Sequence, residues 1–333
     1  GAVEGDIATP IVIDRYGEGP LPIIAGEGKG VAPLYLKNVQ GWHIYNLELS
    51  NEGPTSEPMR FGLYVLNDQL DTARHFVVKN VTVRNVNGTY PKDWGAGAAI
   101  RFAAMSDKDS TEPGRNFDGI LIEDCYIKDC SRNGIVINGG ALRENWNPST
   151  EVIVRGNLIE GVGGDGILPT SCQAPLVEWN VMRDCPSYGE AGGAAAGMWP
   201  WSCDDALFQY NEVVGHKAWI DAQAYDCDYN SNRTVYQYNL SRDNEGGFML
   251  VCSPTPKNKG WLKENAWNRD SVVRFNLSIN DGLRREGKDD YKSPIFHITG
   301  GATQGTEIYS NFVIIPKKRD PKMDTSLVTF DQW

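Results

Sequence analysis

The sequence predicts an all-β fold, a right-handed parallel β-helix, read as a single-stranded solenoid of about nine to ten coils with inserted loops. Three observations predict it. An apolar residue, two further residues, Asn and then alternating apolar positions recur six times, with the Asn at Asn157, Asn180, Asn211, Asn239, Asn276 and Asn311. The segments are brief and β-rich, alternate with period two and show almost no helical periodicity. Equivalent positions from 47 to 311 recur at intervals of 34, 44, 32, 23, 31, 28, 37 and 35 residues, so the shortest is a bare repeat and the others carry loops.

Taken in order, residues 1–30 read as the opening coil, with strands in 10–20 and 22–26 and no obvious polar cap before residue 10. Three early copies, at 44–49, 78–83 and 122–127, keep the strand pattern and lose the Asn. The recurring Asn has a structural reason: a tight corner leaves backbone groups without ladder partners, and a stacked carboxamide satisfies them and its neighbours. A second strand follows at 134–138, 166–170, 197–201, 224–228 and 247–251. Longer intervals supply loops able to wall a site, several with tryptophan: Trp94, Trp146, Trp261 and Trp267. The end, 326–333, reads as a strand rather than a cap, so a partner or further segment is expected to cover that edge. The whole, 1–333, is expected to be one domain.

Composition narrows the function. A net charge of −11 argues against nucleic acid or an anionic membrane as the main partner. No apolar run approaches the roughly 18 residues of a membrane span. No charged-then-apolar leader stands at Gly1, so any secretion signal is expected to have been removed or never present. Seven cysteines with no CxxC pair disfavour a zinc cluster or a fully paired disulfide framework; most are expected to be small buried hydrophobes, with one disulfide left open. There is no nucleophile elbow, phosphate loop or dinucleotide fingerprint. Of the four histidines, His216 is read as an isolated surface residue.

Tryptophans and carboxylates concentrate in 199–205, 221–228 and 244–248. Strand residues two apart share a face. Taking Ile135, Ile167, Met198, Tyr225 and Phe248 as inward places Val136, Leu168, Trp199, Asp226 and Met249 in one outward column and Asn138, Thr170, Trp201, Asp228 and Val251 in the next. Asp226 and Asp228 then project about 6.5 Å apart, with Trp199 and Trp201 about 4.8 Å away on the neighbouring strand. Glu245 aligns with Ala222, beside Asp221. Paired carboxyls beside indoles suit sugar processing, because crowding splits their pKa values into an acid and a base or nucleophile. Against this stands the abundance of Asp and Asn at turns, where each one singly is structural.

At 197–205, 221–230 and 237–248 the chain resembles bacterial right-handed parallel β-helix repeat proteins of the carbohydrate-active type, a likeness extending over nearly its whole length. The resemblance implies an extracytoplasmic glycoside hydrolase, periplasmic or secreted, with Asp221, Asp226, Asp228 and Glu245 as catalytic carboxylates. Two departures are Ala222 and Ala224, where that group often has Gly, and 241–244, which reads Ser-Arg-Asp-Asn in place of Ser-His-Asp-Asn. Trp199, Trp201, Asp205, Lys217 and Arg242 are the expected substrate-binding side chains. The expected substrate is a plant, algal or microbial polysaccharide or oligosaccharide, with no cofactor. The alternatives are a polysaccharide lyase, in which Ca²⁺ on the clustered acids would assist β-elimination with Lys217, Arg233 or Arg242 as base, and a non-catalytic carbohydrate-binding protein.

Overall fold

The computed structural model describes residues 8–105, 114–253, 267–284, 293–315 and 326–331. Trp261 of the loop tryptophans lies outside them, as does Trp333. Each repeat contributes short strands that pair in parallel with their equivalents in the neighbouring repeats. One ten-stranded sheet runs from Ile11–Ile13 through Thr72–Lys79 and Thr150–Arg155 to Glu307–Tyr309, and a second from Ile23–Ala25 through Tyr126–Cys130 to Phe312–Ile314. A third face carries five strands, Leu34–Lys37, Phe61–Asn67, Ala98–Ala104, Asn133–Asn138 and Ile167–Pro169. It resumes as a separate four-stranded sheet of Gln223–Cys227, Gly247–Ser253, Phe296–Gly300 and Val328–Asp331.

This corrects the expectation of a right-handed parallel β-helix. No sheet is closed or strongly curled; the fold is a set of largely parallel, open sheets. The third face is also interrupted: between its two sheets, 197–201 makes only the isolated bridges Ile167 to Met198, Thr170 to Trp201 and Met198 to Tyr225. Pro200 sits in that gap and has no N–H to give a ladder. The repeat spacing set the strand pairing, whereas curvature depends on twist and on where ladders break.

Period-two alternation puts one file of each sheet inward. In the first sheet Ile44, Val78, Ile122, Val154, Val177, Phe208, Tyr236 and Val273 are partners in successive strands, and all are buried. They join Leu49, Val83 and Ile127 of the second sheet and Leu63, Ile100 and Ile135 of the third in one apolar core.

The corner Asn residues form the expected ladder. Asn157 Nδ2 donates to Asn180 Oδ1 at 2.8 Å, and the relay continues to Asn211 (3.0 Å), Asn239 (3.1 Å), Asn276 (3.0 Å) and Asn311 (2.9 Å). Each carboxamide oxygen also accepts the backbone N–H of the preceding Asn, as Asn211 does from Asn180 at 3.0 Å. Just before these Asn the chain turns through one left-handed residue, Trp179, Tyr210, Tyr238 and Phe275 with φ of 58°, 57°, 58° and 57°. Such a conformation costs a bulky residue roughly 1–2 kcal/mol, and the ladder offsets it by satisfying the turn. All seven cysteines are free and buried, so the open possibility of a disulfide closes as none.

Candidate active site

A cavity of about 510 Å³ opens on the outer face of the third side. Its floor is the outward file of the five-stranded sheet, Arg101, Val136 and Leu168, continued by Trp199 and Trp201, with Asp228 and Tyr229 at one end. The loop bearing Lys92, Asp93 and Trp94 forms one wall.

The register places Asp226 and Asp228 on one face of Gln223–Cys227 and its continuation. Asp226 is buried, and Asp228 is half-buried and lines the cavity. The next strand sits one residue off the expected alignment: Tyr225 partners Met249 rather than Phe248, and Asp226 partners Leu250. The physical cause is the pair Gly246 and Gly247. A Cβ at Gly246 would lie 1.8 Å from the Asp221 carbonyl oxygen, so only glycine lets the chain approach so closely. The shift brings Cys252, not Val251, beside the acids. Its Sγ lies 3.2 Å from Asp228 Oδ1 and 3.7 Å from Asp226 Oδ1.

Burial, then the charges of Asp228 and Asp221, drive the Asp226 carboxyl well above the usual range. Burial raises Asp228 to about 6, although Lys92 and the Tyr229 N–H, at 2.6 Å from Oδ1, pull the other way. The two behave as one dyad that holds a proton near neutrality. Asp221 follows Ile220 in a short strand paired with Ala194–Ala195. Asp221 and Ala222 are consecutive left-handed residues, φ 66° and 64°, a backbone normally left to glycine. Arg284 holds the preceding turn in place, donating from Nη1 to the carbonyls of Ala218 (2.7 Å) and Trp219 (3.0 Å) and from Nη2 to that of Asp221.

Asp165, which the sequence reading did not select, supports the floor. It is buried; Oδ2 pairs with the buried Arg132 at 3.1 Å, and Oδ1 accepts Ala196 N–H at 3.1 Å and Trp199 Nε1–H at 3.0 Å. Burial alone would raise its pKa, but Lys92, Arg132 and these donors outweigh burial and hold it below the usual range. Trp199 is only 3 % exposed, with Lys92 Nζ 4.6 Å from its ring centroid, so it is floor rather than platform. Trp201 and the 46 % exposed Trp94 offer more open indole surface.

Other expected residues lie elsewhere. Glu245 is half-buried outside the cavity lining; its N–H donates to the His216 carbonyl at 3.0 Å, and Gly246, not Glu245, bonds to Ala222. Asp205 pairs with Arg233 at 2.5 Å and accepts from Gln173, a turn contact away from the cleft. Lys217 is exposed and absent from the lining. Arg242 lines a separate groove with Trp179, Arg183 and Glu212. His216 is fully buried, not a surface residue, and burial lowers its pKa to about 4. Asp226, Asp228 and Cys252 bring ligand atoms within 4.8 Å of one another, but Cys252 is a thiol whose pKa burial drives well above its usual range. That donor set does not match the oxygen shell Ca²⁺ takes.

No family model matches the chain. It is 26% identical to a lacto-N-biosidase of Bifidobacterium longum subsp. longum over 93% of its own length and 23% of that protein's. Crystal structures of a GH136 lacto-N-biosidase from Eubacterium ramulus share its fold. The native form superposes with a TM-score of 0.69 at 21% identity, over 94% of this chain and 59% of that one. The selenomethionine derivative gives 0.68 at 22%. The chain thus spans about a quarter of the curated relative and under two thirds of the solved one.

Proposed function

We propose that this chain carries the active site of a bacterial, extracytoplasmic glycoside hydrolase acting on an oligosaccharide, with a lacto-N-biosidase type of reaction foremost. The observation that carries the reading is Asp228: a carboxyl raised to about 6 at the end of a tryptophan-lined cavity, under the charge of Asp221 and coupled to the buried Asp226, neither of which itself lines the cavity. The likeness to lacto-N-biosidases supports the same chemistry and favours an oligosaccharide over the plant, algal or microbial polysaccharide the sequence suggested. No helix of the described residues is long and apolar enough to cross a membrane.

In this reading Asp228 is the general acid, because it faces the cavity and its carboxyl, raised to about 6, carries a proton in the weakly acid range. Asp221 is the partner carboxylate, acting as nucleophile or as base for water. Asp226 lies buried behind Asp228, its carboxyl driven well above the usual range by burial and by the neighbouring acids, so the pair shares a proton rather than carrying two full charges. Trp199 and Trp201 shape the floor and Lys92 tunes the acids. The lyase alternative loses its proposed bases, since Lys217 and Arg242 lie outside the cavity and Arg233 is tied to Asp205. Incubation with lacto-N-type oligosaccharides tests the proposal. Reducing ends released without an unsaturated uronate support it; no cleavage of any member of the panel would sink it.

A further inference from the structure

Ala98–Ala104 is a fully buried strand, Ala-Ala-Ile-Arg-Phe-Ala-Ala, with one charge in it. Arg101 is 4 % exposed and lines the cavity. Its Nε donates to Asn138 Oδ1 at 3.0 Å and its Nη1 to the Trp94 carbonyl at 2.7 Å, both neutral acceptors. Among the described residues it makes no ion pair within 4.0 Å; the Asp93 carboxylate on the cavity wall acts on it only from a greater distance. The other cavity-lining arginine, Arg132, is by contrast paired with Asp165. The guanidinium lies 4.0 Å from the Trp94 ring centroid, 5.0 Å from Phe61 and 6.0 Å from Tyr64. Rings offset part of the desolvation of a buried cation but do not replace an anion. Burial lowers its pKa only to about 10, so it stays charged at neutral pH.

Its place along the floor supplies a ruler. Arg101 partners Val136, Val136 partners Leu168, and the file continues through Trp199 to Asp226. Four strand spacings put Arg101 about 19 Å from the acids. Between the two ends the file itself, Val136, Leu168 and Trp199, is apolar. The cleft is therefore built with proton-transfer groups at one end and, at the other, a buried cation that has no carboxylate in direct contact.

We propose that Arg101 anchors an anionic group of the substrate, a carboxylate or sulfate ester on the sugar at the end of the cleft remote from Asp228. This rests on the hydrolase reading above. It makes the substrate class an acidic oligosaccharide long enough to span the floor. A guanidinium fork suits both anions, because each accepts two charge-assisted hydrogen bonds.

The test is calorimetric binding of three lacto-N-type oligosaccharides to the full chain, with Asp228→Asn in all samples to prevent turnover: the neutral chain, its sialylated form and its sulfate ester. At least one charged form is expected to bind about tenfold more tightly than the neutral one, with an advantage that shrinks as salt rises. Which form gains identifies the group. Adding Arg101→Gln is expected to bring that form down to the affinity of the neutral chain, and Arg101→Lys to keep part of the advantage. Near-ultraviolet circular dichroism checks that each variant is folded. Equal affinity for all three forms, or a preference unchanged by Arg101→Gln, overturns the anchor. Charged ligand that binds through Arg101 but is never cleaved by the wild-type chain supports the anchor and overturns the hydrolase reading. Cleavage without any charge preference does the reverse.

Discussion

Removing the Asp165 carboxylate isolates the support beneath the cleft. Asp165→Ala leaves Arg132 as an uncompensated charge in a site where both side chains are essentially inaccessible to water. Breaking a buried pair from one side costs about 3–5 kcal/mol. It also orphans the Ala196 N–H and the Trp199 Nε1–H, each worth about 1–3 kcal/mol when buried. These terms overlap, so the expected loss is at least about 4 kcal/mol. Asp165→Asn retains an oxygen for the two donors but no charge for Arg132, and should cost about 3 kcal/mol. Trp199→Phe removes only one bond and should cost about 1–2 kcal/mol. Urea titration at pH 7 measures all three, compared at unchanged denaturant slope. The sign with pH is fixed too. A carboxyl whose folded pKa is depressed gives stability that is present above about pH 4 and lost as pH falls further, and Asp165→Asn should lack that loss. If Asp165→Asn and Asp165→Ala each cost under about 1 kcal/mol, the buried pair does not support the floor and the reasoning is refuted.

Three further outcomes follow from the geometry. Asn211→Ala removes two donated bonds, to the Val177 carbonyl at 2.9 Å and to Asn239 at 3.1 Å, and the acceptor of Asn180 N–H. Two orphaned buried backbone groups should cost about 2–4 kcal/mol in urea titration, against under about 1 kcal/mol for Asn311→Ala at the half-buried end. Asp281 is buried and accepts from Ser241, Ser278 and Asn244, yet burial raises its pKa to about 6, as for Asp228. Raised folded pKa values give stability that is full below about pH 4 and lost as pH rises through about 6, so urea stability at pH 5 should exceed that at pH 7.5, with a smaller difference in Asp281→Asn. For the same reason turnover should fall as pH rises through about 6, and a flat profile from pH 5 to 8 would remove Asp228 as the acid.

Much of this was legible in the sequence, for identifiable reasons. Asn spacing revealed the ladder because each repeat must satisfy the same corner. Period two put Asp226 and Asp228 on one face because strand geometry leaves little choice. What escaped depended on events between repeats. The glycine pair 246–247 shifted one strand by a residue and exchanged Val251 for Cys252. The closed solenoid failed because pairing order does not determine curvature. Lys217 and Arg242 were near the acids in sequence but belong to other surfaces. Arg101 did carry a signal, a lone charge in an apolar strand, and Asp165 a weaker one in the glycine-rich turn 163–166.

The most direct test of the central claim compares kcat/KM for Asp228→Asn, Asp221→Asn and Glu245→Gln on an oligosaccharide and on an aryl glycoside whose leaving group needs no protonation. Asp228→Asn is expected to lose about 10²- to 10⁴-fold on the oligosaccharide and far less on the aryl glycoside. Asp221→Asn should lose activity on both, and Glu245→Gln should stay within about tenfold of wild type on both. An Asp228→Asn enzyme that cleaves the oligosaccharide within tenfold of the wild-type rate would contradict the account.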